Sequence, residues 1–203
     1  MKIICIGKNY AEHVKEMKSA IPTEPVFFMK PDTAIIKDGQ PFYYPDFSKE
    51  IHHEVELILK INKAGKNIST EFANKYYDEI GIGIDFTARD LQMQCKEKGL
   101  PWEKSKAFDG SAALGSFIDK KQFSDMSNIN FHLTINGSTL QKGNTKDLLF
   151  SFDVIVAYVS KFITLKTGDL IYTGTPEGVG NVRIGDRLEA YIENKKLLNF
   201  EIK

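Results

Sequence analysis

Residues 53–61 read HEVELILKI and give the clearest strand signal in the chain. Every second residue from Val55 onward is apolar, so the stretch predicts a strand with one face against a core. The other face begins with two carboxylates, Glu54 and Glu56. A second apolar stretch, IGIGIDF at residues 80–86, predicts a buried strand whose glycines let another backbone approach closely. Strands of this kind point to a β-rich core.

Other elements extend outward from these two strands. Further strands are predicted at residues 2–6, 26–29 and 131–135, after Asn136-Gly137, after Gly168-Asp169, after Gly185-Asp186 and near Phe200. Helices are predicted at residues 10–18, 87–98 and 152–162, the last with Ser151 as its N-cap. Strands dominate and the helices do not alternate with them. The expected fold class is therefore α+β, with mixed sheets and a few short helices, rather than doubly wound.

The middle helix carries start and stop signals. Thr87 with Asp90 three residues later resembles a capping box, so Thr87 is the expected N-cap. The helix is expected to end at Gly99, with Pro101 just beyond it.

Composition and charge exclude several classes of protein. Basic and acidic residues number 27 each, so the formal net charge is zero, which argues against nucleic acid or an anionic membrane as a partner. With 42% hydrophobic residues, one domain over residues 1–203 can bury its own core. No apolar stretch reaches the length of a membrane span, and no signal-peptide pattern is present. Cys5 and Cys95 have no disulfide or metal-site spacing, so we expect reduced thiols and a cytoplasmic location.

Three carboxylates form a candidate metal site. Glu54 and Glu56 point to the same side of a strand with Cα atoms about 7 Å apart. Asp85 ends the next buried strand and could supply a third oxygen. An all-oxygen site suits Mg²⁺, Mn²⁺ or Ca²⁺ rather than structural zinc. The alternative is that Glu54 and Glu56 lie on the solvated face of a sheet, which is the more common meaning of such a pattern taken alone.

Residues after Asp85 suggest a site for an anion. Arg89 and Gln92 lie on one face near a helix N-terminus, where free N–H groups and an arginine fork attract carboxylates. A helix-surface arginine is the alternative. The glycine-rich loop at residues 173–180 lacks a nucleotide phosphate-binding pattern. It could bind a substrate carboxylate, or it could only connect two strands.

Histidines supply candidate acid/base groups. His13 and Glu16 are three apart in the predicted helix at residues 10–18, so the carboxylate could orient the imidazole. His52 and His53 are alternative ligands or bases, and only His52 shares the face of Glu54 and Glu56. An exposed His–Glu pair without function is the competing interpretation.

The chain resembles the fumarylacetoacetate hydrolase superfamily, and within it the short single-domain acylpyruvate hydrolase and oxaloacetate decarboxylase type. The resemblance covers nearly the whole chain. The motifs that carry it, in order, are GKNYAEHVKEM, FFMKP, HHEVEL, IDFTARDLQ, KGLPW, TGTPEGVG and a late GD. The resemblance implies a β-rich, mixed-sheet fumarylacetoacetate hydrolase-like fold.

The resemblance also implies roles for individual residues. The implied ligands of Mg²⁺ or Mn²⁺ are Glu54, Glu56 and Asp85. The implied catalytic residues are His13 and Glu16, on a mobile lid segment at residues 10–24, together with Lys106, for which Lys104 is a competitor. The implied substrate-binding residues are Arg89, Gln92 and Thr175.

The expected function is metal-dependent chemistry on small 2,4-dioxo acids through a pyruvate enolate. Acylpyruvate hydrolysis, oxaloacetate decarboxylation and oxaloacetate keto–enol tautomerisation can share such a site, and the sequence does not rank them. An isomerase of unsaturated 2-hydroxy dioates and a β-rich binding module without catalysis are further alternatives. The expected partner is a small 2-oxo acid, and the resemblance implies a homodimer.

Overall fold

The computed structural model describes residues 1–37 and 39–203, and strands dominate it. The strands, in chain order, are β1 (Ile3–Gly7), β2 (Val26–Lys30), β3 (Ile35–Lys37), β4 (Ile51–His53), β5 (Val55–Ile61), β6 (Tyr77–Asp85), β7 (Thr87–Ala88), β8 (Ala112–Asp119), β9 (Asn130–Ile135), β10 (Ser138–Asn144), β11 (Leu170–Tyr172), β12 (Gly180–Asn181), β13 (Arg187–Ile192) and β14 (Lys195–Glu201). The helices are α1 (Ala11–Glu16), α2 (Thr70–Ala73), α3 (Arg89–Lys98), α4 (Glu103–Lys106) and α5 (Phe152–Phe162).

The largest sheet in the described residues has the strand order β2-β1-β11-β5-β6-β8-β3. In it, β1 pairs with β11 and β3 pairs with β8 in parallel, whereas the other neighbours are antiparallel. A second sheet has the order β10-β9-β13-β14, and a small third sheet has the order β12-β4-β7. This architecture confirms the α+β class with mixed sheets and short helices.

The two strands that dominate the sequence pattern lie at the centre of the largest sheet and are buried on both faces. Leu57 and Leu59 belong to the main core, which the second sheet and α5 complete. Ile58 faces the opposite way into a smaller apolar cluster. Gly83 permits the close strand contact that the sequence indicated, because a Cβ there would lie 2.3 Å from the carbonyl oxygen of Ala113. The face that carries the glutamates is therefore covered by protein and is not solvated.

The single strand expected over residues 53–61 is interrupted at Glu54. β4 belongs to the small sheet and β5 to the largest sheet, and Glu54 lies between them. The carbonyl oxygen of Glu54 still accepts a hydrogen bond from the backbone N–H of Asp85 at 2.8 Å. Where the chain changes sheets, two candidate metal ligands, Glu54 and Asp85, therefore lie side by side.

The expected N-cap at Thr87 is wrong. Thr87 pairs with His52 in the small sheet, and α3 begins at Arg89 without a side-chain cap. Asp90 accepts hydrogen bonds from the Ser48 hydroxyl at 2.7 Å and the Lys49 backbone N–H at 3.0 Å. Partners distant in sequence therefore replace the expected local capping box.

Other local predictions are confirmed. Gly99 follows α3 in the left-handed conformation with φ of 61°. The β9–β10 hairpin turns at Asn136 and Gly137, whose φ values of 52° and 80° are those of a type I′ turn. Ser151 caps α5 by accepting a hydrogen bond from Val154. The helices in the described residues are all too short or too polar to cross a membrane.

Candidate metal centre and active site

Three carboxylates converge beside the largest sheet. Glu54 lies between β4 and β5, Glu56 lies on β5, and Asp85 is the last residue of β6. Their exposed fractions are 5%, 2% and 1%, and one oxygen from each lies within 4.8 Å of the others. Three negative charges this close and this buried require compensation. A solvated sheet face, the alternative for Glu54 and Glu56, does not describe these residues.

Asp85 has one oxygen that is not hydrogen-bonded. Among the described residues, its buried Oδ1 has no hydrogen-bond donor. The Lys30 ammonium lies 2.8 Å from this oxygen as an ion-pair partner, while it hydrogen-bonds to the carbonyl oxygens of Phe86, Lys106 and Ser111. A cation bound at Oδ1 would therefore break no hydrogen bond, but it would share this oxygen with Lys30.

Glu56 carries the least compensated charge of the three. Its Oε2 accepts a hydrogen bond from the Gly174 backbone N–H at 2.6 Å. Burial and the neighbouring Asp85 raise the pKa of Glu56 well above its ordinary value, and the charge of Glu54 adds to this. A divalent cation would relieve that repulsion, and an all-oxygen donor set suits Mg²⁺ or Mn²⁺. The three carboxylates therefore fit the metal that the sequence analysis expected.

Lys106 is the lysine that reaches the carboxylates. Its Nζ donates hydrogen bonds to Glu54 Oε2 at 2.7 Å, to Asp85 Oδ2 at 2.9 Å and to the Thr87 hydroxyl at 2.5 Å. Burial would lower the pKa of Lys106, but Asp85 and Glu54 outweigh burial and raise it, so the ammonium stays charged. Lys104, its competitor in the sequence, is exposed. Because residues two apart on a helix point in nearly opposite directions, only one of these two side chains can point inward.

Arg89 links the carboxylates to α3. Its Nη2 lies 2.5 Å from Glu54 Oε1, and its Nη1 donates to Gln92 Oε1 at 2.6 Å. Its Nε donates to Nδ1 of His52 at 3.4 Å. Burial would raise the pKa of Glu54, but Lys106 and Arg89 outweigh burial and hold it below its ordinary value. The predicted shared face of Arg89 and Gln92 is confirmed, and Arg89 is buried rather than a surface residue.

His13 and Glu16 form a hydrogen-bonded pair on α1. The distance from His13 Nδ1 to Glu16 Oε2 is 3.0 Å. Since a carboxylate only accepts, Nδ1 carries the proton and Nε2 is the nitrogen able to accept another. The other oxygen of Glu16 accepts a hydrogen bond from the Gly178 backbone N–H at 3.0 Å. His13 is 7% exposed and lines the cavity described below, whereas Glu16 is exposed, so the imidazole is not the solvated surface group of the competing interpretation.

One cavity collects nearly all the candidate residues. The candidates that line it are His13, Glu54, Glu56, Asp85, Arg89, Gln92, Lys106 and Thr175. Glu16 does not line the cavity, but it is hydrogen-bonded to His13, which does. Thr175 follows β11 in the glycine-rich loop and is 4% exposed. This loop therefore contributes a side chain to the wall of the cavity as well as connecting strands.

Sequence reasoning missed several residues around the cavity. Lys8 and Lys96 line it, and Lys30 lies behind Asp85 with a side chain that is fully buried. Gln141, which contacts Thr175, comes from β10 in the second sheet. A signal existed for Lys30, because it closes the apolar stretch of the FFMKP motif. For Gln141, no local pattern distinguishes it from a surface residue.

The family follows from the sequence and the fold together. The sequence profile described as fumarylacetoacetate (FAA) hydrolase C-terminal matches residues 2–202. The chain belongs to the fumarylacetoacetate hydrolase family.

Two named relatives show which members of that family this chain is similar to. The oxaloacetate tautomerase FAHD1, mitochondrial, of Mus musculus is 43% identical over 201 residues, covering 99% of this chain and 91% of the relative. The oxaloacetate tautomerase YcgM of Escherichia coli strain K12 is 43% identical over 197 residues, covering 97% and 90%.

Two solved structures share the fold, and one of them contains a bound metal ion. Fumarylpyruvate hydrolase from Pseudomonas aeruginosa, in complex with Mn²⁺ and pyruvate, matches with a TM-score of 0.94 and 36% identity, covering 100% of this chain and 89% of that chain. A putative fumarylacetoacetate hydrolase family protein from Yersinia pestis CO92 matches with a TM-score of 0.95 and 42% identity, covering 100% and 93%.

Proposed function

We propose that this protein is a divalent-metal-dependent enzyme that interconverts the keto and enol forms of oxaloacetate. The observation that carries the proposal is the His13–Glu16 pair facing three buried carboxylates and Lys106 across one cavity. The names of the mouse and E. coli relatives favour tautomerisation over the other reactions that such a site could perform.

Glu54, Glu56 and Asp85 would hold the metal. When bound, the metal would supply Lewis-acid polarisation of the 2-oxo group of the substrate. The protein's own residues would orient the acid, with the Thr175 hydroxyl and the Gln92 amide facing the cavity. α1 contributes His13 and Val14, both buried, to the lining of the cavity.

His13 would carry the proton in the tautomerisation. Its Nε2 would take a proton from C3 of oxaloacetate as a C2=C3 double bond forms, and the resulting imidazolium would return a proton, directly or through water, to the 2-oxo oxygen to give the enol. Glu16 holds the imidazole in the required tautomer and stabilises the imidazolium that forms. The charged Lys106 ammonium offsets the negative charge that develops on the 2-oxo oxygen.

The charge of the cavity wall supports a dicarboxylate substrate. The lining residues include three carboxylates and four basic side chains, which are Lys8, Arg89, Lys96 and Lys106. Among the described residues, neither Lys8 nor Lys96 forms an ion pair with a carboxylate. Burial, Arg89 and Lys8 lower the pKa of Lys96, and the charge of Glu54 only partly opposes them. The distal carboxylate of oxaloacetate would place a negative charge next to these cations.

Carbon–carbon bond cleavage of acylpyruvates is the second candidate. The structural neighbour from P. aeruginosa is a fumarylpyruvate hydrolase in complex with Mn²⁺ and pyruvate, and it shares the fold across this whole chain. In this reaction His13 would deprotonate a water that attacks the distal carbonyl, and the pyruvate enolate would leave. Decarboxylation of oxaloacetate would release the same enolate with CO₂.

Activity measurements on single variants test the proposal. Glu56→Gln and His13→Gln are each expected to lower kcat/KM for oxaloacetate tautomerisation at least about a hundredfold, followed by the absorbance of the enol. Removal of metal with EDTA is expected to abolish turnover, and Mg²⁺ or Mn²⁺ to restore it. Glu79→Gln, a change at a half-buried position at the far end of β6 and outside the cavity lining, is the matched control. Full turnover in EDTA would contradict the metal requirement.

Two further arms of the experiment separate the alternatives. Acetylpyruvate and an unsaturated dioate are assayed beside oxaloacetate, and the largest kcat/KM identifies the reaction. A binding module without catalysis would turn over none of them. For the metal itself, Mg²⁺ with oxalate is expected to raise the melting temperature of the wild type, because a ligand specific for the native state stabilises it.

A further inference from the structure

Gln141 reaches the cavity region from a different sheet. It lies on β10, next to a break in the register with β9, and is 1% exposed. Its side-chain amide contacts β4, β5 and the loop after β11, all far away in sequence. A buried amide with this many partners has one defined orientation.

The partners determine which end of the amide is which. The backbone N–H of Val55, which can only donate, lies 3.1 Å from Oε1. The carbonyl oxygen of Pro176, which can only accept, lies 3.0 Å from Nε2. These two contacts assign the oxygen and the nitrogen independently. His53 Nδ1, 2.8 Å from the same Oε1, must therefore also donate.

The orientation of the amide has a consequence for Thr175. Gln141 Nε2 lies 2.9 Å from Thr175 Oγ1, so the hydroxyl oxygen accepts a hydrogen bond from the amide. Throughout residues 1–37 and 39–203, the hydroxyl proton of Thr175 has no protein acceptor. Thr175 also lines the cavity beside Lys106 and Arg89, and its proton is free to point inward.

We propose that Gln141 is a positioning residue, which makes the Thr175 hydroxyl a hydrogen-bond donor to an anionic oxygen of the ligand. The ligand oxygen belongs to the carboxylate or enolate of a small 2-oxo acid, so this inference rests on the proposed function. Gln141 itself stays behind the cavity wall and touches no ligand. Its effect passes through the hydroxyl of Thr175.

Gln141→Glu tests the direction of this hydrogen bond at nearly constant size. The carboxylate still accepts from Val55 and His53, but it cannot donate to Thr175. The Thr175 hydroxyl then turns to donate to residue 141, and the ligand loses its donor. The dissociation constant of oxalate, measured by calorimetry with Mg²⁺, and KM for oxaloacetate are each expected to rise about tenfold or more. Gln122→Glu, an exposed change, is expected to leave both values unaltered.

A double-mutant cycle separates positioning from a structural role. Thr175→Val is expected to weaken oxalate binding by a similar factor, and Gln141→Glu is expected to add little in that background. Additive effects of the two changes would overturn the proposal. So would a Gln141→Glu variant that binds oxalate as the wild type does.

A neutral variant keeps the test decisive if glutamate at position 141 prevents folding. Gln141→Met removes both ends of the amide without adding charge, and the same non-additivity with Thr175→Val is expected. A wild type that binds oxalate but turns over no 2-oxo acid would refute the proposed function, while the binding cycle would still decide the role of Gln141.

Discussion

At the scale of single residues, Lys30 has the most demanding position. Its side chain is fully buried, and its ammonium is held between Asp85 and three carbonyl oxygens. Removing one member of a buried ion pair leaves the other charge without compensation. Lys30→Met is therefore expected to lower the free energy of unfolding in urea by about 3–5 kcal/mol. Lys60→Met, which breaks the half-exposed pair with Glu79, is the control and is expected to cost less than about 1 kcal/mol. Equal losses for both would contradict the assigned role of Lys30.

His132 makes stability depend on pH. Its ring stacks on Tyr191 with centroids 4.5 Å apart, and burial and Lys142 lower its pKa. The folded state therefore binds this proton less readily than the unfolded state, whose histidine pKa is about 6.5. The stabilising contribution is complete above that pH and is lost as the pH falls from there through the lower pKa of the folded state.

The expected result is a difference between two slopes. Between about pH 7.5 and 5.5, the free energy of unfolding of His132→Phe is expected to fall less than that of the wild type, because phenylalanine does not titrate. Urea titrations across this range measure it. Identical pH profiles would show that His132 does not contribute.

At the scale of elements, α1 connects the cavity to the glycine-rich loop. The Glu16 side chain receives the Gly178 N–H, so the position of α1 depends on the loop that also carries Thr175. The lid assigned to residues 10–24 stays a prediction. If it is correct, Mg²⁺ with oxalate slows amide hydrogen exchange across these residues by stabilising the closed arrangement. α5, remote from the cavity, is the internal reference and is expected to be unchanged. Equal exchange with and without ligand would refute the lid.

Element by element, the sequence predicted the strands, α5 and the β9–β10 turn because their signals are local. Alternation from Val55, the Asn136-Gly137 pair and the serine before α5 depend only on neighbours in the chain. The errors at Glu54 and Thr87 have the opposite origin. Both residues lie where the chain joins the small sheet, and pairing with distant strands overrode the local pattern.

At the scale of the whole molecule, the net charge is zero, but the charges are not evenly distributed. Lys8 and Lys96 line the cavity, and neither forms an ion pair with another described residue. Lys96→Met is expected to raise KM for oxaloacetate about threefold to tenfold, whereas KM for acetylpyruvate, which has no distal carboxylate, should change less than twofold. The difference should shrink at high salt, because Lys96 is exposed and its charge is screened. Lys98→Met, two residues away and outside the cavity lining, is the matched control. Equal effects on both substrates would contradict recognition of a distal carboxylate.

The sequence by itself determined the fold class, the family motifs and the residue types of the site, because these follow from periodicity, turn chemistry and ordered local patterns. The homodimer and the cytoplasmic location stay predictions from the sequence. Only the tertiary structure decided that the glutamate face is buried, that Lys106 rather than Lys104 points inward, and that Lys30 and Gln141 support the site. The physical reason is that burial and convergence depend on which strands become neighbours. Contacts such as Gln141 with Thr175 join segments that no local pattern relates.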